Sequence, residues 1–254
     1  MNQEINNNLS VDSNVRTSNK WYRHGWGIVA IVAIILTLIL VVAAIFLTID
    51  AWRSSDQVLV KIDDGGIMSN TNSDPEQKSP QRQIAEKTNR PYFGNPDAKL
   101  VIVEFSDFQC PVCQQEFPII RKIVNEYQAE LLYIYRNYPI IDEYSIVVAQ
   151  AGLCAQNQNM FWPMHDRLFS VSVGGFNDSI LYSTAEKSGL DMDQYDECMA
   201  TKKYQGLIVE DFQDGNALGV EGTPTFFING NKLSGAVNYD QWKEIIDRSL
   251  ELFK

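Results

Sequence analysis

Cys110-Pro111-Val112-Cys113 sets two thiols three positions apart, a spacing that lets one sulfur attack a disulfide and the other resolve the mixed disulfide it forms. The segment follows an apolar run and opens a helical pattern, so Cys110 falls at a helix N-terminus. Unpaired backbone N–H groups and the helix dipole favour a thiolate there. Cys110 is therefore read as the exposed, low-pKa nucleophile, and Cys113, one turn into the helix, as the less accessible resolving thiol. Pro111 suits the first turn, where a missing N–H is harmless. The same spacing is also half of a zinc site. A structural zinc site wants a second close pair, whereas Cys154 and Cys198 stand far apart in the chain. His24 lies beside a long apolar segment, and His165 in Phe161-Trp162-Pro163-Met164-His165 reads as a packed or surface helix residue. No metal or cofactor is expected.

The elements that must position the pair follow from hydrophobic patterning. Leu100-Val101-Ile102-Val103-Glu104-Phe105 is the nearly continuous apolar run of a buried central strand. A helix is predicted over 113–127 and a second strand over 131–135. Helical patterns follow at 144–156, 161–169, 179–188, 192–199 and 204–217. Thr225-Phe226-Phe227-Ile228 and Lys232-Leu233 flank the turn Asn229-Gly230-Asn231 as a hairpin, and 239–253 closes the chain as an amphipathic helix. Strand, helix, strand, helical block, hairpin, helix is an α/β order with a helical insertion.

Before this domain, Ile28 to Ile49 is a run of 22 residues without a charge. As a helix it is about 33 Å long, enough for a bilayer core of about 30 Å. Trp21, Tyr22 and Trp26 precede it and Trp52 follows, as at membrane interfaces. The run is too long for a cleaved signal peptide and reads as an uncleaved signal anchor. Arg16, Lys20 and Arg23 before it against Arg53 and Lys61 after it lean towards a cytoplasmic N-terminus. The expected organisation is a cytoplasmic tail over 1–27, a transmembrane anchor over 28–49, a flexible linker over 50–90 and a folded domain over 91–254.

The net charge is −11, and residues 91–254 carry 12 Lys and Arg against 23 Asp and Glu, so the whole imbalance lies in the domain. Such a surface repels a polyanion, and no nucleic-acid partner is expected.

Gly94-Asn95-Pro96-Asp97-Ala98, the strand, and Phe105-Ser106-Asp107-Phe108-Gln109 leading into the cysteine pair resemble the DsbA-like branch of the thioredoxin superfamily over residues 91–254. The resemblance implies a thioredoxin-like fold with a helical insertion over 138–219 that lies above the active site. It implies that Glu104, six residues before Cys110, is the buried acid serving Cys113. Pro118 matches a helix kink of the family. Val220-Glu221-Gly222-Thr223-Pro224-Thr225 resembles the loop whose cis proline, here Pro224, lies against the cysteines while the backbone of Thr223 pairs with substrate. Cys154 shares a helix face with Val147 and Ala151, which alone reads as a small buried residue; the resemblance favours a structural disulfide to Cys198.

The function so implied is an extracytoplasmic thiol-disulfide oxidoreductase that introduces disulfides into unfolded or reduced exported proteins. A membrane quinone-linked thiol oxidase would recycle it, and residues 28–49 would hold it in the lipid bilayer. Strong oxidants of the family carry His where this chain has Val112, so a disulfide reductase or isomerase is the alternative. A thiolate metal chaperone for Cu(I) or zinc is the alternative from another class, without a Met or His cluster to support it.

Overall fold

In a computed structural model the described residues are 25–55 and 78–253. They fall into two units, divided after Gln57. The first contains a single described helix, α1 (Gly25–Ser55), longer than the expected span. Its Val29–Phe46 stretch has a mean hydropathy of 3.3, long and apolar enough to cross a membrane. The tail through residue 24 and the segment 56–77 lie outside the described residues, as do the side chains of Trp26 and Trp52.

The second unit carries a five-stranded sheet in the order β1-β3-β2-β4-β5. The strands are β1 (Tyr92–Gly94), β2 (Leu100–Ser106), β3 (Leu131–Asn137), β4 (Thr225–Ile228) and β5 (Asn231–Ser234). β2 and β3 are parallel and joined by α3 (Pro111–Glu126), while the other neighbours are antiparallel. All seven residues of β2 are buried, as its unbroken apolar run requires of a strand covered on both faces. Alternation divides them. Leu100 and Ile102 pack with Ile120, Ile123 and Val124 of α3 and with Trp242 and Ile246 of α9 (Tyr239–Glu251). Val101, Val103 and Phe105 face Ala85, Ile134, Val220 and Phe227 on the other side. Glu104 and Ser106 therefore share the α3 face of the sheet.

Five helices stand between β3 and β4: α4 (Tyr144–Gln156), α5 (Phe161–Leu168), α6 (Asp178–Lys187), α7 (Met192–Ala200) and α8 (Gln205–Ala217). The fold is thus the expected thioredoxin-like α/β class with a helical insertion. The linker reading fails at both ends. Residues 50–55 continue α1, and residues 80–85 form α2 (Pro80–Ala85), with Ser79 Oγ accepting from the Arg82 N–H and Pro80 in the first turn. Arg90, also assigned to the linker, is fully buried, its guanidinium bonded to Asp211 and Glu210 of α8. A buried cation held by a partner 121 residues away ties this stretch to the domain.

Cys154 on α4 and Cys198 on α7 form a disulfide, both sulfurs buried in the core of the insertion. Its closed loop spans 44 residues. In the chain-entropy view such a crosslink contributes about 4 kcal/mol. Cys154→Ala with Cys198→Ala is expected to lower thermal stability by up to that amount while leaving exchange at Cys110 intact, which melting followed by circular dichroism and a dithiol assay would check.

Candidate active site

The loop between β2 and α3 is fixed by Asp107. Its Oδ1 accepts from the Gln109 N–H at 2.9 Å, and its Oδ2 accepts from the backbone of Ile140 and Ile141 at 2.8 and 3.0 Å. Cys110 caps α3 with extended backbone angles, Pro111 takes the first helical position, and Cys113 lies one turn in. Pro118 sits inside the same helix, where it offers no N–H to the turn before it. Two glutamines flank the pair. Gln109 Nε2 donates to Asp142 Oδ1 at 2.5 Å and to Ser145 Oγ at 3.0 Å at the start of α4. Gln114 Nε2 donates to the Val171 carbonyl at 2.6 Å between α5 and α6. The insertion is thereby fastened on both sides of the cysteines.

Both cysteines are free thiols, and both are buried. Cys110 was expected to be exposed, yet only 4% of its surface is accessible; the neighbouring dipeptide is the open part, with Val112 38% exposed. The cause is the loop before β4. The Cys110 thiol donates to the Thr223 carbonyl at 3.3 Å, and the Thr223-Pro224 bond is cis. The Thr223 hydroxyl is buried without a hydrogen-bond partner.

The two sulfurs are opposite in character. A hydrogen bond from the Cys113 thiol, aided by the Thr223 side chain and the N–H groups of Cys113 and Val112, lowers Cys110 to about 6 against desolvation. Burial, with the hydrogen bond and charge of Cys110 behind it, pushes Cys113 well above an ordinary thiol. The pair therefore presents one thiolate and one thiol. Among the described residues no group of three or more His, Cys, Asp or Glu is placed to hold a metal. Thr223→Val is expected to raise the Cys110 pKa from about 6 towards the ordinary thiol range, since it deletes a donor to the thiolate. The pH dependence of thiolate ultraviolet absorbance reports the shift.

Glu104 is 3% exposed, accepts a hydrogen bond from the Tyr133 hydroxyl, and is pushed by burial up to about 7. An ordinary water-facing carboxylate is thus ruled out at this position. On the same side of the sheet, Glu116 of α3 accepts from Trp242 Nε1 at 2.6 Å and the Val237 N–H at 2.9 Å, and burial raises it to about 8. Because Glu104 is raised on folding, the native state binds the extra proton between about 4.5 and 7, and stability falls as pH rises through that window. Glu104→Gln is expected to flatten this fall, by on the order of 3 kcal/mol over the window. Denaturant unfolding at pH 5 and pH 7.5 tests it.

His165 lies in the core and not at the surface, its ring 4.9 Å from those of Tyr135 and Phe169 and its Nδ1 2.9 Å from Asp166. Ser106, Asp107 and Gln109 enter from sequence only as part of the stretch that carries the resemblance, with no role of their own, and Gln114 and Tyr133 not at all. Their amides, hydroxyls and short carboxylate show no role until the loops around them are placed.

Residues 86–248 match a family model described as thioredoxin. The Na(+)/H(+) antiporter NhaA 1 of Salinispora arenicola is 34% identical over 149 residues, 58% of this chain, but the match covers only 22% of the antiporter. Probable disulfide bond formation protein D of Bacillus anthracis is 26% identical over 172 residues, 63% of this chain and 77% of that protein. A thioredoxin-like oxidoreductase from Silicibacter pomeroyi superposes with a TM-score of 0.62 at 27% identity, covering 68% of this chain and 99% of that one.

Proposed function

The chain belongs to the thioredoxin family, and from that premise we propose that it is a protein thiol-disulfide oxidoreductase whose oxidised Cys110–Cys113 pair introduces disulfides into exported proteins. The observation that carries the reading is the asymmetry of the pair, with Cys110 lowered and Cys113 raised. A thiolate held at Cys110 stabilises the reduced form of the enzyme, and a stabilised reduced form makes the disulfide an oxidant. Thr223 and the backbone N–H groups supply the stabilisation that a histidine at Val112 would otherwise give.

In the forward reaction a client thiolate attacks the Cys110 sulfur. The client–Cys110 bond forms, the Cys110–Cys113 bond breaks, and Cys113 leaves as a thiolate that takes up a proton. A second client thiolate then attacks the client sulfur of the mixed disulfide, and Cys110 leaves as the stable thiolate. Two electrons have passed from the client dithiol to the enzyme. The backbone of Thr223, beside the sulfur, aligns the client chain in strand fashion, and exposed Val112 offers it apolar contact.

The apolar helix anchors the domain in the lipid bilayer, with the N-terminus cytoplasmic and the domain extracytoplasmic. The charge asymmetry around residues 28–49 and the Cys154–Cys198 disulfide, a bond of oxidising compartments, support that placement. A membrane quinone-linked thiol oxidase removes the two electrons. Oxidative refolding of a reduced disulfide-containing client by the full chain in detergent tests the function. Recovery of native client disulfides at rates set by Cys110 is expected. Reduction of the client's disulfides without any oxidase activity would overturn the proposed direction.

A further inference from the structure

We propose that the surface around Cys110 selects clients by charge, favouring an extended segment with Lys or Arg close to its cysteine and disfavouring anionic thiols such as glutathione. The inference rests on the thiol-disulfide reading above and names the client class that the site fits. A client thiol must come to Cys110, so the residues flanking that thiol meet the side chains around the sulfur.

Three stretches outside α3 reach the pair. The N–H groups of Ile140 and Ile141 donate to Asp107, and Asp142 accepts from Gln109. The Val171 carbonyl accepts from Gln114, and the Thr223 carbonyl from the Cys110 thiol. Each contact falls within four residues of Cys110. None of these stretches carries a cation: Lys and Arg are missing from 100–120, 137–166, 168–186 and 204–231. What they do expose is carboxylate, at Asp142, Glu143, Asp178 and Glu221. Asp142 and Glu143 lead into α4, and Glu221 stands two residues before Thr223. Asp178 opens α6, tied to α4 by the Tyr144 hydroxyl, which donates to its Oδ1 at 2.5 Å.

Among the described residues, no ion pair uses any of these four acids. The cations of the domain are spent on other carboxylates: Lys87, Arg90 and Arg136 on those of α8, and Lys243 on Glu126. The charge around Cys110 is thus of one sign and not cancelled by a neighbour. Val112, Ile140 and Ile141 are exposed beside it, and apolar walls concentrate such a field. The client attacks as a thiolate, which the same field opposes. A Lys or Arg in the client's own chain offsets that repulsion and is drawn to the carboxylates, whereas a thiol on a net anion such as glutathione meets them without relief.

The test uses the oxidised full chain in detergent and three dithiol peptides alike except for Lys, Ser or Glu flanking the cysteines. Each peptide gives two electrons to one Cys110–Cys113 disulfide and becomes a disulfide itself, read by acid quench and mass spectrometry. Dividing each rate by that of the same peptide with uncharged hydroxyethyl disulfide removes the effect of the flanks on the peptide's own thiol acidity. At about 10 mM ionic strength, where charges act over about 30 Å, the Lys peptide is expected to react at least about tenfold faster than the Glu peptide. At about 1 M salt, where the range is about 3 Å, the ratio should approach one. Glu143→Lys with Glu221→Lys should cut the low-salt ratio at least about threefold and leave the Ser peptide's rate unchanged. Asp97→Lys with Glu130→Lys makes the same change in net charge before β2 and β3, at the end of those parallel strands away from Cys110, and should leave most of the ratio in place. Equal or reversed rates for the Lys and Glu peptides, or equal effects of the two double variants, would overturn the charge selection while leaving exchange intact. Failure of all three peptides to reduce the pair would overturn the oxidising reading itself, and this inference with it.

Discussion

Cys113→Ala is expected to abolish turnover while leaving Cys110 able to form mixed disulfides that persist. Cys110 is lowered by several donors, of which the Cys113 thiol is the largest but not the sole one, since the Thr223 side chain and two backbone N–H groups remain. The variant therefore keeps a reactive, though less acidic, nucleophile. What it lacks is the sulfur that closes the internal disulfide. A residue that forms a covalent bond in the cycle has no substitute nearby, so catalytic oxidation should fall by roughly three orders of magnitude or more. Non-reducing electrophoresis of membranes carrying the variant should show adducts at Cys110 that disappear with dithiothreitol, and their identification names both the clients and the recycling partner. A variant that turns over at more than a few per cent of the parent rate would remove Cys113 from the mechanism.

Asp211→Ala should cost more stability than any single change of an exposed or half-buried polar residue in the domain. Asp211 Oδ1 accepts from Arg90 Nε at 2.5 Å and Arg136 Nε at 2.6 Å, and Oδ2 accepts from the Asn137 N–H at 3.0 Å. All three side chains, Arg90, Arg136 and Asp211, are fully buried. Arg136 keeps Asp214 at 2.5 Å and two carbonyls of α2, and Arg90 keeps Glu210, but the central anion is gone. Two guanidiniums then share too little negative charge in a dry site, a loss of about 3–5 kcal/mol. Because α8, β3 and the chain before β1 all meet at Asp211, thermal melting should shift down as a single transition. Asp211→Asn, which retains acceptor capacity without charge, should fall between the two. A melting temperature unchanged by Asp211→Ala would contradict the buried network.

The parts of the molecule legible from sequence are those with a period or a chemical type of their own. β2 announced itself because both its faces are buried, so its apolar run is unbroken. The helices of the insertion were found to within about a turn from their apolar spacing. Cys110, Cys113, Glu104 and the Thr223-Pro224 loop could be named individually and lie together in space. Elements too short to show a period were not seen: β1 has three residues and α2 six. Arg90 looked like part of a polar linker because its partner Asp211 stands 121 residues away, and no local pattern encodes a pairing at that distance. The burial of Cys110 was missed for a similar reason. Helix-terminus reasoning gives the thiolate but cannot say that the Thr223 carbonyl will lie 3.3 Å from the sulfur. Val112 leaves the direction of electron flow open, and the proposed oxidising direction rests on the donors around Cys110, which are visible only in three dimensions.

The reduction potential of the Cys110–Cys113 pair, measured in the full chain against glutathione at pH 7, tests the central claim most directly. Thioredoxin, with a nucleophilic thiol of pKa about 7, sits near −270 mV. Lowering that pKa to about 6 stabilises the reduced pair at pH 7 by about 1 kcal/mol more, which for two electrons is roughly 20 mV. A potential less negative than thioredoxin's by at least that margin is expected, and a value at or below about −270 mV would contradict an oxidising pair.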